Sequence, residues 1–261
     1  MEVPVGAVTA DVGIFGGSGF YELLGGARAH AVDTPYGPPS SAVVVGQVGE
    51  RRVAFLARHG PDHTIPPHRI EFRANLWAMA SFGVRAIVSP FACGSLRPDR
   101  RPGELVVVDQ LIDRTKARAD TFHDGPDVAH VGFADPYDSG LGEHVAAAAE
   151  RLGQAVHRGG TVAVIEGPRF STRAESRGLR AMGADLVNMT QYPEAVLAAE
   201  LSIPFAGVGL VTDYDAGLEG DEGIAPVSME EVFAVLAANA DRVREILFEA
   251  IPTLPLPPLA S

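Results

Sequence analysis

The sequence predicts an α/β fold: a single domain with a central mixed β-sheet surrounded by helices. Three observations predict it. Short apolar runs alternate with longer amphipathic or alanine-rich runs, and no repeat or linker divides the 261 residues. Hydrophobic residues make up 46% of the chain, enough to build a sizeable core. Two β-rich runs separated only by "VGE" read as a hairpin, which favours a mixed sheet over a purely parallel one.

Each element follows from its residues. Val12–Phe15 is a strand feeding a glycine loop, and Ala42–Gln47 with Arg52–Leu56 form the hairpin. Phe72–Phe82 reads as a helix stopped by Gly83, followed by short buried strands at Ala86–Ser89 and Leu105–Val108. Glu143–Leu152 is an alanine-rich helix and Thr161–Ile165 a strand. Thr172–Met182 is a helix ended by Gly183, and Asp185–Asn188 a short strand. Pro193–Leu201 is a helix with proline in its first turn, and Pro204–Val211 an apolar strand. Ser228–Ile251 is a long amphipathic helix opened by Ser228 and Glu231, spaced as a capping box. The tail "PTLPLPPLAS" is extended coil.

Charge and cysteine content narrow the function. The formal net charge is -12, and the most basic stretch, Arg97 to Glu104, carries its own acids. Such a chain repels nucleic acid and anionic lipid, so neither is expected as a partner. Cys93 is the only cysteine, which excludes an intramolecular disulfide and a cysteine metal cluster. No apolar run is long enough to span a bilayer and no leader pattern is read, so a cytoplasmic protein is expected.

Chemistry concentrates in the loops after strands. "VGIFGGSGFYE" (Val12 to Glu22) has Glu22 where a dinucleotide fingerprint needs its third glycine, and it lacks the lysine of a Walker loop. What remains is a nest for one compact anion around Ser18, or a turn that binds nothing. Arg58 and His59 follow a strand and could supply donors to an anion, or be a surface arginine and a capping histidine. His59, His63 and His68 are separated by Gly60, Pro61, Pro66 and Pro67, which breaks any helical ligand spacing, so no metal is expected. Thr190 sits where a hydroxyl could join an anion site near a helix N-terminus. Asp213 and Asp215 end an apolar strand; if the strand continues, alternation points both the same way, as paired acids for proton work.

The ordered set "GIFGGSGFYE", "RHG", "FRANLWA", "ACGSL", "PGELVVVDQLIDRT", "EGPRFSTRAES", "NMTQYPEAVLA" and "VTDYDAG" resembles the 5′-methylthioadenosine phosphorylases. These form part of the trimeric purine nucleoside phosphorylase family. The resemblance runs from about Val12 to Ile251. It implies the purine nucleoside phosphorylase-like fold and reversible phosphorolysis, with inorganic phosphate as co-substrate and no cofactor or metal. It implies phosphate binding by Ser18, Arg58, His59 and Thr190; the hydroxyl lost at Phe91 either weakens phosphate affinity or is replaced by backbone N–H groups near Ala92. Met189 is expected beneath the ribose, Phe170 near the base, and Asp213 and Asp215 along the purine edge. Asp213 would donate a proton toward N7. Asp213 and Ser171 stand where 6-oxopurine relatives carry Asn and Glu, which implies adenine as the base.

Two departures bear on this expectation. Phe91 replaces the threonine that usually precedes "ACGSL" and helps hold phosphate and ribose. Met229, Val232 and Phe233 are expected to wall the 5′ pocket, and Met229 and Phe233 are bulkier than the valine and leucine usual there, so the 5′ group could be methylthio, plain deoxy or halogen. His130 is expected to reach a neighbouring subunit's site, implying a homotrimer, with a hexamer as a further possibility. The rival readings are a phosphorylase of broader or 6-oxopurine specificity, a phosphate-independent nucleosidase, a dinucleotide-dependent oxidoreductase opposed by Glu22, and a nucleoside-binding protein without turnover.

Overall fold

A computed structural model of the chain describes residues 3–16, 25–126, 128–216, 224 and 227–258. Its strands are β1 (Val12–Gly16), β2 (Gly25–His30), β3 (Val43–Val48), β4 (Arg51–Ala57), β5 (Ala86–Ser95), β6 (Leu105–Val108), β7 (Gln110–Arg114), β8 (Val156–Arg158), β9 (Thr161–Ile165), β10 (Leu186–Asn188) and β11 (Phe205–Asp213). Its helices are α1 (Phe72–Ser81), α2 (Ser139–Arg151), α3 (Arg173–Ala181), α4 (Gln191–Glu200) and α5 (Met229–Ala250). The strands form one mixed sheet, as the hairpin implied: β3 and β4 are antiparallel, while β4, β1 and β5 run parallel.

The central strands read as continuous apolar runs because both their faces are covered. Phe15, Ala54, Leu56 and Ile87 point into a core cluster shared with Leu76 and Met79 of α1 and Leu197 of α4. Alternate residues Ile14, Val53, Phe55 and Val88 join a second cluster with Leu141 of α2 and Ile246 and Leu247 of α5. Phe15 and Phe55 are at most 1% exposed; each such side chain contributes roughly 1.5–3 kcal/mol of burial.

The sheet forks at β5. Its first half pairs with β1 through Val88, and its end pairs with β10 at Gly94 and Ser95. Its other edge pairs with β11 from Ile87 to Gly94. Residues 89–93 therefore have no strand beside them on one edge among the described residues. This is the kind of switch point where open α/β sheets bind ligands.

Several boundaries differ from expectation. β5 runs to Ser95 rather than stopping at Ser89; Pro90 is tolerated because β1 has already left that edge. The short strands β2, β7 and β8 were not anticipated. They carry "GGARAH", "QLIDR" and "VHR", with no buried apolar alternation to announce them. α2 starts at Ser139, not Glu143, because Asp138 caps it by accepting from the Leu141 N–H at 2.8 Å. α4 is assigned from Gln191, two residues ahead of the expected start, and Tyr192 and Pro193 within it are non-helical. At α5 only half of the expected capping box forms: Ser228 Oγ accepts from the Glu231 N–H. The complete box lies at α3, between Thr172 and Glu175.

Candidate active site

The fork opens onto a cavity of about 710 Å³. Side chains take over the carbonyls that the missing strand leaves on β5. Arg58 Nη1 donates to the Pro90 carbonyl at 2.9 Å, and Asn188 Nδ2 donates to the Ala92 carbonyl at 2.9 Å. Two strand ends, at β4 and β10, thus deliver polar side chains to one place on β5.

Of the expected anion-binding residues, Arg58, His59, Ala92 and Thr190 all line this cavity. Ser18 and the glycine loop lie outside the described residues; β1 ends at Gly16, whose carbonyl accepts from the Arg58 N–H. Thr190 is 4% exposed and stands just before α4. Its N–H donates to Asn188 Oδ1 at 2.6 Å, and the Gln191 N–H donates to the same oxygen at 2.8 Å. Asn188 therefore builds the turn that presents Thr190, a role the sequence reading did not assign.

Arg58 and His59 differ from the free donors expected. Arg58 is 3% exposed and makes a two-point pair with the equally buried Glu194 of α4. His59 Nδ1 donates to the Ile65 carbonyl at 2.8 Å, since a carbonyl can only accept. Burial drives its pKa down to about 4; the Ile65 bond opposes this, while Arg58 and His63 add to it. Neutral His59 thus offers the site an acceptor at Nε2. Its ring stacks on His63 at 4.4 Å, and His63 meets Phe233 edge-on at 5.5 Å.

Asp213 and Asp215 both reach the cavity, but not by strand alternation. β11 ends at Asp213, and Asp215 lies in a turn with φ of 50°. The two are joined directly: the Asp215 N–H donates to Asp213 Oδ1 at 2.7 Å. Thr212 Oγ1 donates to the other Asp213 oxygen at 2.8 Å. Burial raises the Asp213 carboxyl above its ordinary range, and the charges of Asp215 and Glu231 add to the rise. Burial also raises Asp215, against the hydrogen bond from Ser176. The Ser176 hydroxyl donates to Asp215 at 2.5 Å; this buried residue was likewise absent from the sequence reading.

Met189 and Phe170, both half-buried, also line the cavity. Arg118 fixes the turn carrying Met189 by donating to the carbonyls of Met189, Tyr192, Ile165 and Glu166. Ser171 stands behind, against Asp215. Met229, Val232 and Phe233 form an apolar wall at the start of α5. Phe91 borders the cavity while its ring is buried in the core cluster, over Gly209, whose missing Cβ would sit 3.1 Å from the ring. His130 is exposed and not part of the cavity lining.

The cavity at the sheet's fork is thus lined by Asp213 and Asp215 together with Arg58, His59 and Thr190. The phosphorylase superfamily model matches residues 11–252, and the chain belongs to that family. It is 53% identical to the S-methyl-5′-thioadenosine phosphorylase of Mycolicibacterium smegmatis, covering 92% of this chain and 90% of that protein. It is 51% identical to a purine nucleoside phosphorylase of Streptomyces coelicolor, covering 95% and 90%. Among solved structures, a methylthioadenosine phosphorylase from Schistosoma mansoni in complex with adenine superposes with a TM-score of 0.86 at 37% identity, covering 93% of this chain and 91% of that one. A methylthioadenosine phosphorylase from an antarctic soil metagenomic library gives 0.88 at 40% identity, covering 94% and 86%. No helix among the described residues is long and apolar enough to cross a membrane.

Proposed function

We propose that the protein catalyses phosphorolysis of a 5′-modified adenosine, either 5′-methylthioadenosine or a 5′-deoxy or 5′-halo analogue. The products are adenine and the 5-modified ribose 1-phosphate. One observation supports the reading: a single cavity is lined by Asp213, an acid that burial holds toward its protonated form, and by Arg58, Thr190 and Met189. The base sits at the acids, the ribose on Met189, and phosphate beside Arg58, Thr190 and the loop bearing Ser18.

In the reaction a phosphate oxygen bonds to C1′ as the C1′–N9 bond breaks. Positive charge builds on the sugar and is stabilised by the phosphate dianion beside it. The bond's electron pair goes to the purine, and Asp213 donates its proton toward N7 as charge accumulates there. The bonds balance with phosphate as the only co-substrate, so the proposal includes no metal or cofactor. Neutral His59 accepts a hydrogen bond at Nε2 from a hydroxyl of the sugar or of protonated phosphate, which keeps its own proton. At the 5′ end, Met229, Val232 and Phe233 leave a 5′-hydroxyl without partners and accept apolar groups. The proposed assembly is a homotrimer in the cytoplasm, with His130 contributed to a neighbour's site.

The experiment is a panel of 5′-substituted adenosines and inosines, each with and without phosphate. Adenine release from methylthioadenosine only when phosphate is present supports the reading; release without phosphate marks a nucleosidase. The identity to a protein named for purine nucleosides in general keeps broader specificity as a second reading. Inosine turned over as fast as methylthioadenosine would favour it.

A further inference from the structure

We propose that Glu194 is a positioning residue of the phosphate site: its two-point clamp on Arg58 aims the one guanidinium N–H left to meet the phosphate. The inference rests on the phosphorolysis proposed above. Arg58 has five N–H groups, and four are spent inside the protein. Nε donates to Glu194 Oε1 at 2.7 Å, and Nη2 to Glu194 Oε2 at 3.1 Å and Ser89 Oγ at 2.7 Å. Nη1 donates to the Pro90 carbonyl at 2.9 Å. The fifth N–H, also on Nη1, has no protein partner among the described residues, and Arg58 borders the cavity.

The clamp is itself braced. Ser89 Oγ donates to Glu194 Oε2 at 2.9 Å and accepts from Gln191 Nε2 at 2.9 Å. Ser89 and Gln191 are 0% exposed and Glu194 1%. A bidentate carboxylate fixes the plane of a guanidinium, and the Pro90 carbonyl fixes its rotation within that plane. The direction of the remaining N–H is then set before phosphate arrives, which lowers the ordering cost of binding.

A second consequence concerns spacing. Glu194 lies four residues after Thr190, on the same helix-forming segment. Clamping Arg58 to Glu194 ties the end of β4 to α4, so the two proposed phosphate donors from distant parts of the chain keep a fixed separation. A buried ion pair serving stability alone is often replaceable by apolar side chains. This one ends at a cavity, with a donor left over.

The test is steady-state kinetics of Glu194→Gln with phosphate varied at saturating nucleoside, and the reverse. Glutamine keeps the length and one acceptor but turns an amide N–H toward Nη2, so the guanidinium loses its aim. The KM for phosphate should rise about tenfold or more, with the nucleoside KM within about threefold of the parent. Should this variant fail to fold, Glu194→Asp, which keeps the charge and shortens the arm, carries the same expectation. In an Arg58→Met background the Glu194 change should add nothing to the phosphate KM, because Glu194 acts only through Arg58. A folded variant whose phosphate KM is unchanged or lower, whatever its kcat, overturns the assignment. If the parent itself releases adenine without phosphate, phosphorolysis fails and this role with it; a phosphate-dependent parent with an indifferent Glu194 variant overturns only the role of Glu194.

Discussion

Asp213 concentrates the chemistry into one proton. Burial keeps its carboxyl protonated to a higher pH than an exposed aspartate, with Asp215 and Glu231 adding to the effect. Asp213→Asn keeps the shape and loses the acid. Its kcat should fall about a hundredfold or more with nucleoside KM changed far less; an unchanged kcat in a folded variant contradicts the assignment. The parent's kcat should decline as pH rises through the elevated Asp213 value, and this limb should vanish in the variant. His59 works in the opposite sense, on stability. Its pKa of about 4 lies below the unfolded value of 6.5, so the unfolded chain binds the extra proton between them. His59 therefore costs stability as pH falls from about 6.5 toward about 4. Thermal melts of His59→Gln across that window should be flatter than the parent's; parallel curves would refute the sign.

At the scale of elements, the site depends on backbone fixed from outside it. Arg118, in the segment between β7 and α2, donates to four carbonyls at the end of β9 and the entry to α4. The same segment is tied down by Tyr192 donating to Asp120 at 2.5 Å and Thr121 donating to Glu200 at 2.6 Å. Arg118→Met strands these carbonyls, so it should lower stability by about 2–4 kcal/mol and raise the nucleoside KM through Met189. Denaturant unfolding with the kinetics checks both. Gly94 makes a different demand: a Cβ there would stand 2.8 Å from Asp213 Oδ1. Gly94→Ala should therefore cut kcat with the fold intact, seen as near-normal circular dichroism beside lost turnover.

These elements also mark what could be read beforehand. The central strands and most helices were legible because burial on both faces of a sheet writes continuous apolar runs. β2, β7 and β8 were not, because short exposed strands carry no such pattern. Within the site, residues following strand ends were legible, while Glu194 and Ser176 were not, since their partners are remote in sequence, and Asn188 was passed over for the hydroxyl it presents. Glu194 did leave a trace. It falls on the same side of its helix as the buried Leu197 and Ala198, and an acid on an apolar stripe needs a cation. Asn188 precedes Thr190 and Gln191 with the spacing of an Asx turn, a second trace. Asp215 shows the limit of strand alternation: the chain turns before the rule can apply.

At the scale of the whole molecule, the fork of the sheet makes one cavity from β4, β5, β10 and β11. The neutral His59 and the Arg58–Glu194 pair leave little free positive charge there, which suits a chain of net charge -12 only if phosphate is held by directed donors. Val128, 72% accessible, and the exposed His130 mark the surface proposed to meet a neighbouring subunit. Light scattering should give about three times the 27.4 kDa chain mass, and a monomer active at the same rate would oppose the shared site. The central claim is that free phosphate is the nucleophile. Following methylthioadenosine turnover by phosphorus NMR with parallel quantification of adenine tests it most directly. One phosphate should be consumed, and one sugar 1-phosphate formed, for each adenine released; adenine appearing while inorganic phosphate stays constant would contradict the account.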